Sequence, residues 1–177
     1  MYTYYYTRLV QRMREFGMSN PMNHLNDIVA KIYFFLLYVN KENGKTKGIR
    51  CYESARIFYN VLKAFGHDVI VVNGGYIQSK NNRMRHSWVE KIVDCYGTTL
   101  LIETVPHLFY DLEFAELLKK MIIPPNDTRR EKYEAINNED FLEVLRHYGE
   151  NIDSQLIEKL SLSILHYLQN EKENSTE

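Results

Sequence analysis

The sequence predicts an α+β fold in which helices pack on a small antiparallel sheet. Apolar residues recur at helical spacing in the outer parts of the chain, whereas the middle carries β-branched runs that are typical of strands. The polar stretch 94–97 joins two of these runs and is typical of a hairpin turn. With 177 residues, 45% of them hydrophobic, the chain is long enough to bury one sizeable core.

Three helices are expected before the sheet. Residues 4–16 carry apolar side chains at helical spacing, and Pro21 begins a second helix that runs to about Val39. A third helix is predicted to begin at Cys51 and to end at Gly66, where its apolar pattern stops.

Three strands follow these helices. The first covers 68–74 and is expected to end at the pair Gly74 and Gly75. His86 opens the second strand, and 98–105 forms the third. The turn between the second and third strands makes them antiparallel neighbours.

The rest of the chain is predicted to be helical over 108–123, 138–148 and 153–168, with breaks at Pro124 and Gly149. The polar residues 171–177 are expected to be a disordered tail. We therefore divide the chain into a core with N-terminal helices, a C-terminal helical extension of the same domain, and this tail. Their bounds are 1–107, 108–170 and 171–177.

Three residues of the predicted core have the chemistry of a thiol enzyme. Cys51 lies at a helix start, where unpaired N–H groups and the positive end of the helix dipole favour a thiolate, which is a nucleophile. A pairing axis between residues 94 and 95 sets His86 directly opposite Glu103, with Cβ atoms about 5 Å apart on one face. A carboxylate in that position can hold the imidazole ring.

Other residues compete for the supporting roles. Asn73 on the preceding strand is the alternative partner for His86, since a neutral amide also fixes an imidazole tautomer. Glu90 and Asp94 are excluded by distance, because a strand rise of roughly 3.3 Å puts them about 13 and 26 Å along the strand from His86. The Cys51 N–H is the natural first oxyanion donor, and a second can come from Tyr33, Tyr38 or Trp88.

Four segments follow one another in a recognisable order: Cys51 at a helix start, 62–69 leading from a helix into a strand, His-Ser-Trp-Val-Glu at 86–90, and 100–104. Through these four segments, the stretch 48–106 resembles the core of the transglutaminase-like superfamily, a group of papain-like thiol enzymes. The resemblance implies a triad with a cysteine nucleophile, a histidine base and acid, and an orienting carboxylate: Cys51, His86 and Glu103. Glutamate stands where the family usually has aspartate, so its extra methylene must be absorbed by a shift of about 1 Å or a bent rotamer.

The resemblance implies thiol-dependent acyl transfer from an amide of a peptide or protein substrate. Water is the expected acceptor, which gives hydrolysis of a peptide, isopeptide or side-chain amide bond through a Cys51 thioester. An amine acceptor would make the protein a transglutaminase, and residues 50–53 also faintly resemble arylamine N-acetyltransferases. The alternative from another class is a catalytically silent binding module that keeps the fold.

Composition favours a cytoplasmic domain. The first residues lack the basic and apolar regions of a secretory signal, and the most apolar run, 32–39, is too short to cross a bilayer. No membrane association is therefore predicted. Two cysteines do not form a disulfide framework, and a reducing compartment suits a catalytic thiol.

No cofactor or metal is predicted. Cys51, Cys95, His86 and His107 lack the paired spacing of zinc ligands, and no nucleotide fingerprint surrounds the two adjacent glycines. Nucleic-acid binding is not predicted either, because the net charge is −1. The basic residues of the first helix, Arg8, Arg12 and Arg14, are better explained as part of a solvated surface. Nothing in the sequence predicts the oligomeric state.

Overall fold

The computed structural model describes residues 25–42, 49–147 and 150–174, and its class is α+β. The helix predicted over 4–16, including the three arginines at positions 8, 12 and 14, lies outside the described residues. None of the helices in the described ranges has the length and apolarity needed to cross a bilayer.

Five α-helices and a five-stranded antiparallel sheet make up the described part of the chain. The helices are α1 (Leu25–Glu42), α2 (Cys51–Ala64), α3 (Phe114–Met121), α4 (Asn138–His147) and α5 (Ser154–Asn174). The strands are β1 (Val69–Ser79), β2 (Asn82–Ile92), β3 (Thr99–Ile102), β4 (Ile122–Ile123) and β5 (Tyr133–Ala135), in the sheet order β4-β3-β2-β1-β5. Two short 3-10 turns cover Pro106–Leu108 and Thr128–Lys132.

The expectation that Gly74 and Gly75 end the first strand is wrong. Strand β1 continues through them to Ser79 and pairs there with β5, where Gly74 faces Ala135. A Cβ on Gly74 would lie 1.9 Å from the Glu134 carbonyl oxygen, so the glycine is required by the close approach of β5. Strand β2 correspondingly starts at Asn82, and His86 lies inside it and does not open it.

The extension after residue 107 is less helical than predicted. The helix expected over 108–123 is replaced by a 3-10 turn, the short helix α3 and strand β4, whose β-branched Ile122 and Ile123 pair with β3. Strand β5 joins the opposite edge of the sheet. Helix α5 runs to Asn174, so helix extends into the segment expected to be a disordered tail.

Helix α2 is central to the core. Its apolar face is fully buried and packs on β1, β2 and α5, through Ala55, Ile57, Phe58, Val61 and Leu62. The Ser54 hydroxyl also donates to the Thr104 carbonyl at 3.2 Å, which ties the first turn of α2 to the chain after β3. The residue that begins α2 is therefore held on a rigid element.

Candidate active site

Cys51 is the first residue of α2, as the sequence predicts. The amphipathic pattern begins at this position, and the Glu53 carboxylate closes the first turn by accepting the Arg50 N–H at 3.3 Å. The N–H groups of a first helical turn have no partner within the helix, so they are available to a bound oxygen. The thiol is partly exposed, and its sulfur lies 3.9 Å from the Arg85 carbonyl oxygen.

His86 connects this thiol to a buried carboxylate. It lies close enough to Cys51 for that side chain to raise the pKa of His86. Its Nε2 lies 2.8 Å from Glu103 Oε2. Because Nε2 faces Glu103, we assign Nδ1 as the nitrogen that faces the thiol. The structure thus brings Cys51, His86 and Glu103 close together, with a hydrogen bond between His86 and Glu103, although these residues come from three separate segments.

The predicted register between β2 and β3 is wrong by two residues. Val89 pairs with Ile102, so the position opposite Glu103 belongs to Trp88 and not to His86. His86 is consequently a diagonal neighbour of Glu103 on the same face, a separation that only a long side chain can bridge. The extra methylene of glutamate spans this offset.

Glu103 is buried with a complete set of donors. Its exposed fraction is 0%, and a buried charge is costly unless it is paired and hydrogen-bonded. Oε2 accepts from His86 and also from the Tyr133 hydroxyl at 2.8 Å, and Oε1 accepts the Val105 N–H at 2.9 Å. All three neighbours donate, so both buried oxygens of Glu103 have hydrogen-bond partners.

The charge of Glu103 sets the protonation state of His86. Burial disfavours the imidazolium, but the adjacent Glu103 charge, the hydrogen bond to Glu103 and the nearby Cys51 side chain outweigh it and raise the pKa of His86 to about 9. The imidazole therefore carries its proton at neutral pH.

Aromatic rings enclose His86. The Trp88 ring stacks at 6.0 Å between centroids, and the Phe109 ring meets it edge-on at 4.9 Å. Tyr76 and Tyr133 complete the enclosure at 6.1 and 6.0 Å. A ring only 1% exposed is shielded from water, so its interactions with Cys51 and Glu103 are stronger than they would be in solvent.

The auxiliary residues proposed from the sequence have other partners. Asn73 Oδ1 accepts the Ser87 hydroxyl at 2.7 Å, while Nε2 of His86 is taken by Glu103. Trp88 donates its indole N–H to Glu90 at 3.0 Å, so it packs beside the site and its N–H is engaged elsewhere.

Of the remaining donor candidates, Tyr33 is buried and its hydroxyl lies 3.0 Å from His107 Nδ1. Tyr38 belongs to α1, but its side chain lies outside the described part of the chain. None of Tyr33, Tyr38 and Trp88 is therefore assigned as the second oxyanion donor.

The C-terminal extension borders Cys51. Cys51 packs against a small buried cluster formed by Tyr52, Phe141 and Leu145. The Glu150 carboxylate accepts from the Tyr52 hydroxyl at 3.2 Å and from the Arg85 guanidinium at 3.1 Å. One wall beside the thiol is thus built by residues that follow the sheet.

Sequence reasoning missed Tyr133 and Phe109, which contact the triad. Tyr133 lies in a strand of three residues between charged neighbours, and Phe109 follows a 3-10 turn, so neither has a periodic pattern around it. Within residues 25–42, 49–147 and 150–174, no group of three or more His, Cys, Asp and Glu side chains is arranged to hold a metal ion.

No family model, curated protein or solved structure matches this chain.

Proposed function

We propose that this protein is a thiol-dependent acyltransferase with a transglutaminase-like, papain-like catalytic core. Cys51 is the nucleophile, His86 the acid and base, and Glu103 the residue that orients His86. The observation that carries the proposal is a thiol at a helix start close to His86, whose Nε2 is hydrogen-bonded to the buried Glu103. A cytoplasmic location would keep the thiol reduced.

The proposed reaction begins when the Cys51 thiolate attacks the carbonyl carbon of a substrate amide. The oxyanion is stabilised by N–H groups of the first turn of α2, beginning with that of Cys51. His86 then donates its proton to the amide nitrogen as the C–N bond breaks, which releases the amine and leaves a thioester. Glu103 keeps the Nε2 proton directed toward itself, so that the other nitrogen faces the reacting atoms.

Hydrolysis completes the cycle in the favoured version of the proposal. His86, now neutral, accepts a proton from water as the water oxygen attacks the thioester carbonyl, and the C–S bond breaks to regenerate the thiolate. A primary amine in place of water would yield a new amide and make the protein a cross-linking enzyme.

The catalytically silent binding module is the second candidate. Against it stands the burial of the His86–Glu103 pair, which is expensive and is better justified by a chemical role than by packing. Perturbed, buried titratable groups beside a partly exposed thiol are typical of active sites.

A peptide-library screen tests the proposed activity. The wild-type protein is expected to release new amino termini or ammonia from a subset of peptides, and a fluorescent primary amine in the mixture reports amine transfer. Cys51→Ser should lower product formation at least about a thousandfold, because the nucleophile is lost. The matched control Cys95→Ser, at an exposed cysteine, should retain full activity. Product formation that survives Cys51→Ser, or no product from the wild-type protein, would contradict the proposal.

A further inference from the structure

Tyr133 packs beside His86 and Glu103. It lies on β5, where it pairs with Tyr76 of β1 at the edge of the sheet. Its ring meets Trp88 at 5.3 Å and Tyr76 at 5.2 Å between centroids, both edge-on. Packing against these two rings therefore restricts the direction of its hydroxyl.

That hydroxyl reaches the carboxylate that holds His86. Tyr133 donates to Glu103 Oε2 at 2.8 Å, and the same oxygen accepts from His86 Nε2 at 2.8 Å. The second oxygen, Oε1, accepts a backbone N–H of Val105. Both oxygens of the carboxylate are thus restrained, and Tyr133 shares its acceptor with the imidazole.

We propose that Tyr133 is a positioning residue of this site, whose hydroxyl fixes the Glu103 carboxylate in the orientation that directs His86 and shares the charge of Oε2 with it. The role deepens the proposed function and rests on it. A glutamate side chain has three rotatable bonds, so a carboxylate that lacked this donor would be held less firmly. A misplacement of about 1 Å in such a site can lower the rate about a hundredfold.

The shared oxygen also has an electrostatic consequence. A hydroxyl that donates to Oε2 stabilises the carboxylate most when His86 is neutral, because the imidazolium then no longer competes for the same charge. Tyr133 therefore makes it easier for His86 to release its proton, as acid catalysis requires. Burial and the nearby Glu103 charge raise the pKa of Tyr133, so its hydroxyl remains a donor throughout the neutral range.

The other titratable groups around the pair do not change this balance near neutral pH. Burial raises the pKa of both Tyr33 and Tyr76 and lowers that of His107, so all three are uncharged at pH 7. Tyr110 interacts electrostatically with both Tyr76 and Tyr133, and Cys51 lies near His86 at the start of α2. Glu103 is thus the group whose charge Tyr133 modulates.

The test is an NMR titration of the His86 imidazole in the wild-type protein and in Tyr133→Phe, which removes only the hydroxyl. We expect the His86 midpoint in Tyr133→Phe to rise by about half a pH unit or more, because Oε2 then holds the imidazolium proton more strongly. Cys51-dependent turnover should fall about tenfold or more. Tyr59→Phe, which deletes the hydroxyl of a partly buried tyrosine near Lys63, should leave the His86 midpoint unchanged.

Site-specific 3-fluorotyrosine at position 133 provides a second arm that does not depend on the folding of Tyr133→Phe. The fluorinated phenol is a stronger donor with nearly the same shape, so the His86 midpoint should move downward. Superimposable titrations in all these proteins would overturn the positioning role, even if turnover is found. An upward shift of the His86 midpoint in Tyr133→Phe and a downward shift in the 3-fluorotyrosine protein, without any Cys51-dependent turnover, would support the coupling of Tyr133 to His86. That result would overturn the proposed function alone.

Discussion

Replacing Glu103 by glutamine is expected to lower Cys51-dependent turnover by about three to four orders of magnitude while the protein remains folded. The corresponding change of carboxylate to amide in the serine-protease triad costs about ten-thousandfold, because the amide stabilises the wrong imidazole tautomer. The rate is measured on a peptide identified by the library screen, and folding is checked by circular dichroism.

The surroundings of Glu103 explain why the amide cannot substitute. The three hydrogen-bond partners of the carboxylate, His86, Tyr133 and the Val105 N–H, are all donors. An amide NH₂ turned toward Val105 would oppose another donor. If the NH₂ faced His86, Nε2 would have to be unprotonated. The imidazole proton would then lie on Nδ1, the nitrogen that must face the thiol. The first orientation therefore sets two donors against each other, and the second removes the tautomer that the reaction uses.

Two further variants make this prediction specific. Glu103→Asp is expected to lose most of the activity, because the shorter side chain cannot span the two-residue offset between His86 and Glu103. Glu90→Gln is the matched control, since Glu90 binds Trp88 and Thr99 and does not touch His86. Full activity of Glu103→Gln, together with loss of activity in Asn73→Ala, would assign the orienting role to Asn73.

Gly74→Ala is expected to lower the free energy of unfolding by about 3 kcal/mol or more. Overpacking usually costs about 1–3 kcal/mol, and here the new methyl meets backbone that cannot rotate away, 1.9 Å from the Glu134 carbonyl oxygen. Strand β5 must separate from β1, and it carries Tyr133 away from Glu103. Turnover should fall with the stability.

Gly75→Ala is the control for that variant. The nearest atom to a Cβ on Gly75 is the Met84 carbonyl oxygen at 3.6 Å, an ordinary contact. Neither glycine has a positive φ, so backbone conformation does not distinguish them. Urea unfolding of the two variants measures the difference, and equal stability of Gly74→Ala and Gly75→Ala would show that β5 does not approach β1 as closely as described.

The helix start at Cys51 and the contact between His86 and Glu103 could both be predicted from the sequence. The first follows from an amphipathic pattern with a sharp beginning, and the second from strand patterns on either side of a recognisable turn. The register was wrong because the turn is centred one residue later than expected: Val93 bonds to Thr98, with Gly97 at a φ of 82°. A one-residue shift of a hairpin axis moves the partner by two residues and so keeps the face.

The edges of the sheet could not be predicted. Strands of two and three residues, such as β4 and β5, are too short to show a period, and their pairing depends on chain segments far apart in sequence. The adjacent glycines Gly74 and Gly75 resemble a turn in the sequence, because the strand that requires a glycine at position 74 lies about sixty residues away. Tyr133 was missed for the same reason, since only the fold brings it to Glu103.

The most direct test of a catalytic Cys51–His86–Glu103 chain is the rate at which iodoacetamide modifies each cysteine at pH 6, followed by peptide mass mapping. An ordinary thiol is only about 0.3% ionised at this pH. His86 carries its proton below about pH 9, and in the proposed function this cation activates Cys51, whereas Cys95 is exposed on the hairpin turn. We predict that Cys51 reacts at least about tenfold faster than Cys95, even allowing for the lower intrinsic nucleophilicity of a stabilised thiolate, and that His86→Gln abolishes the difference. Equal, slow modification of both cysteines in the wild-type protein would contradict the account.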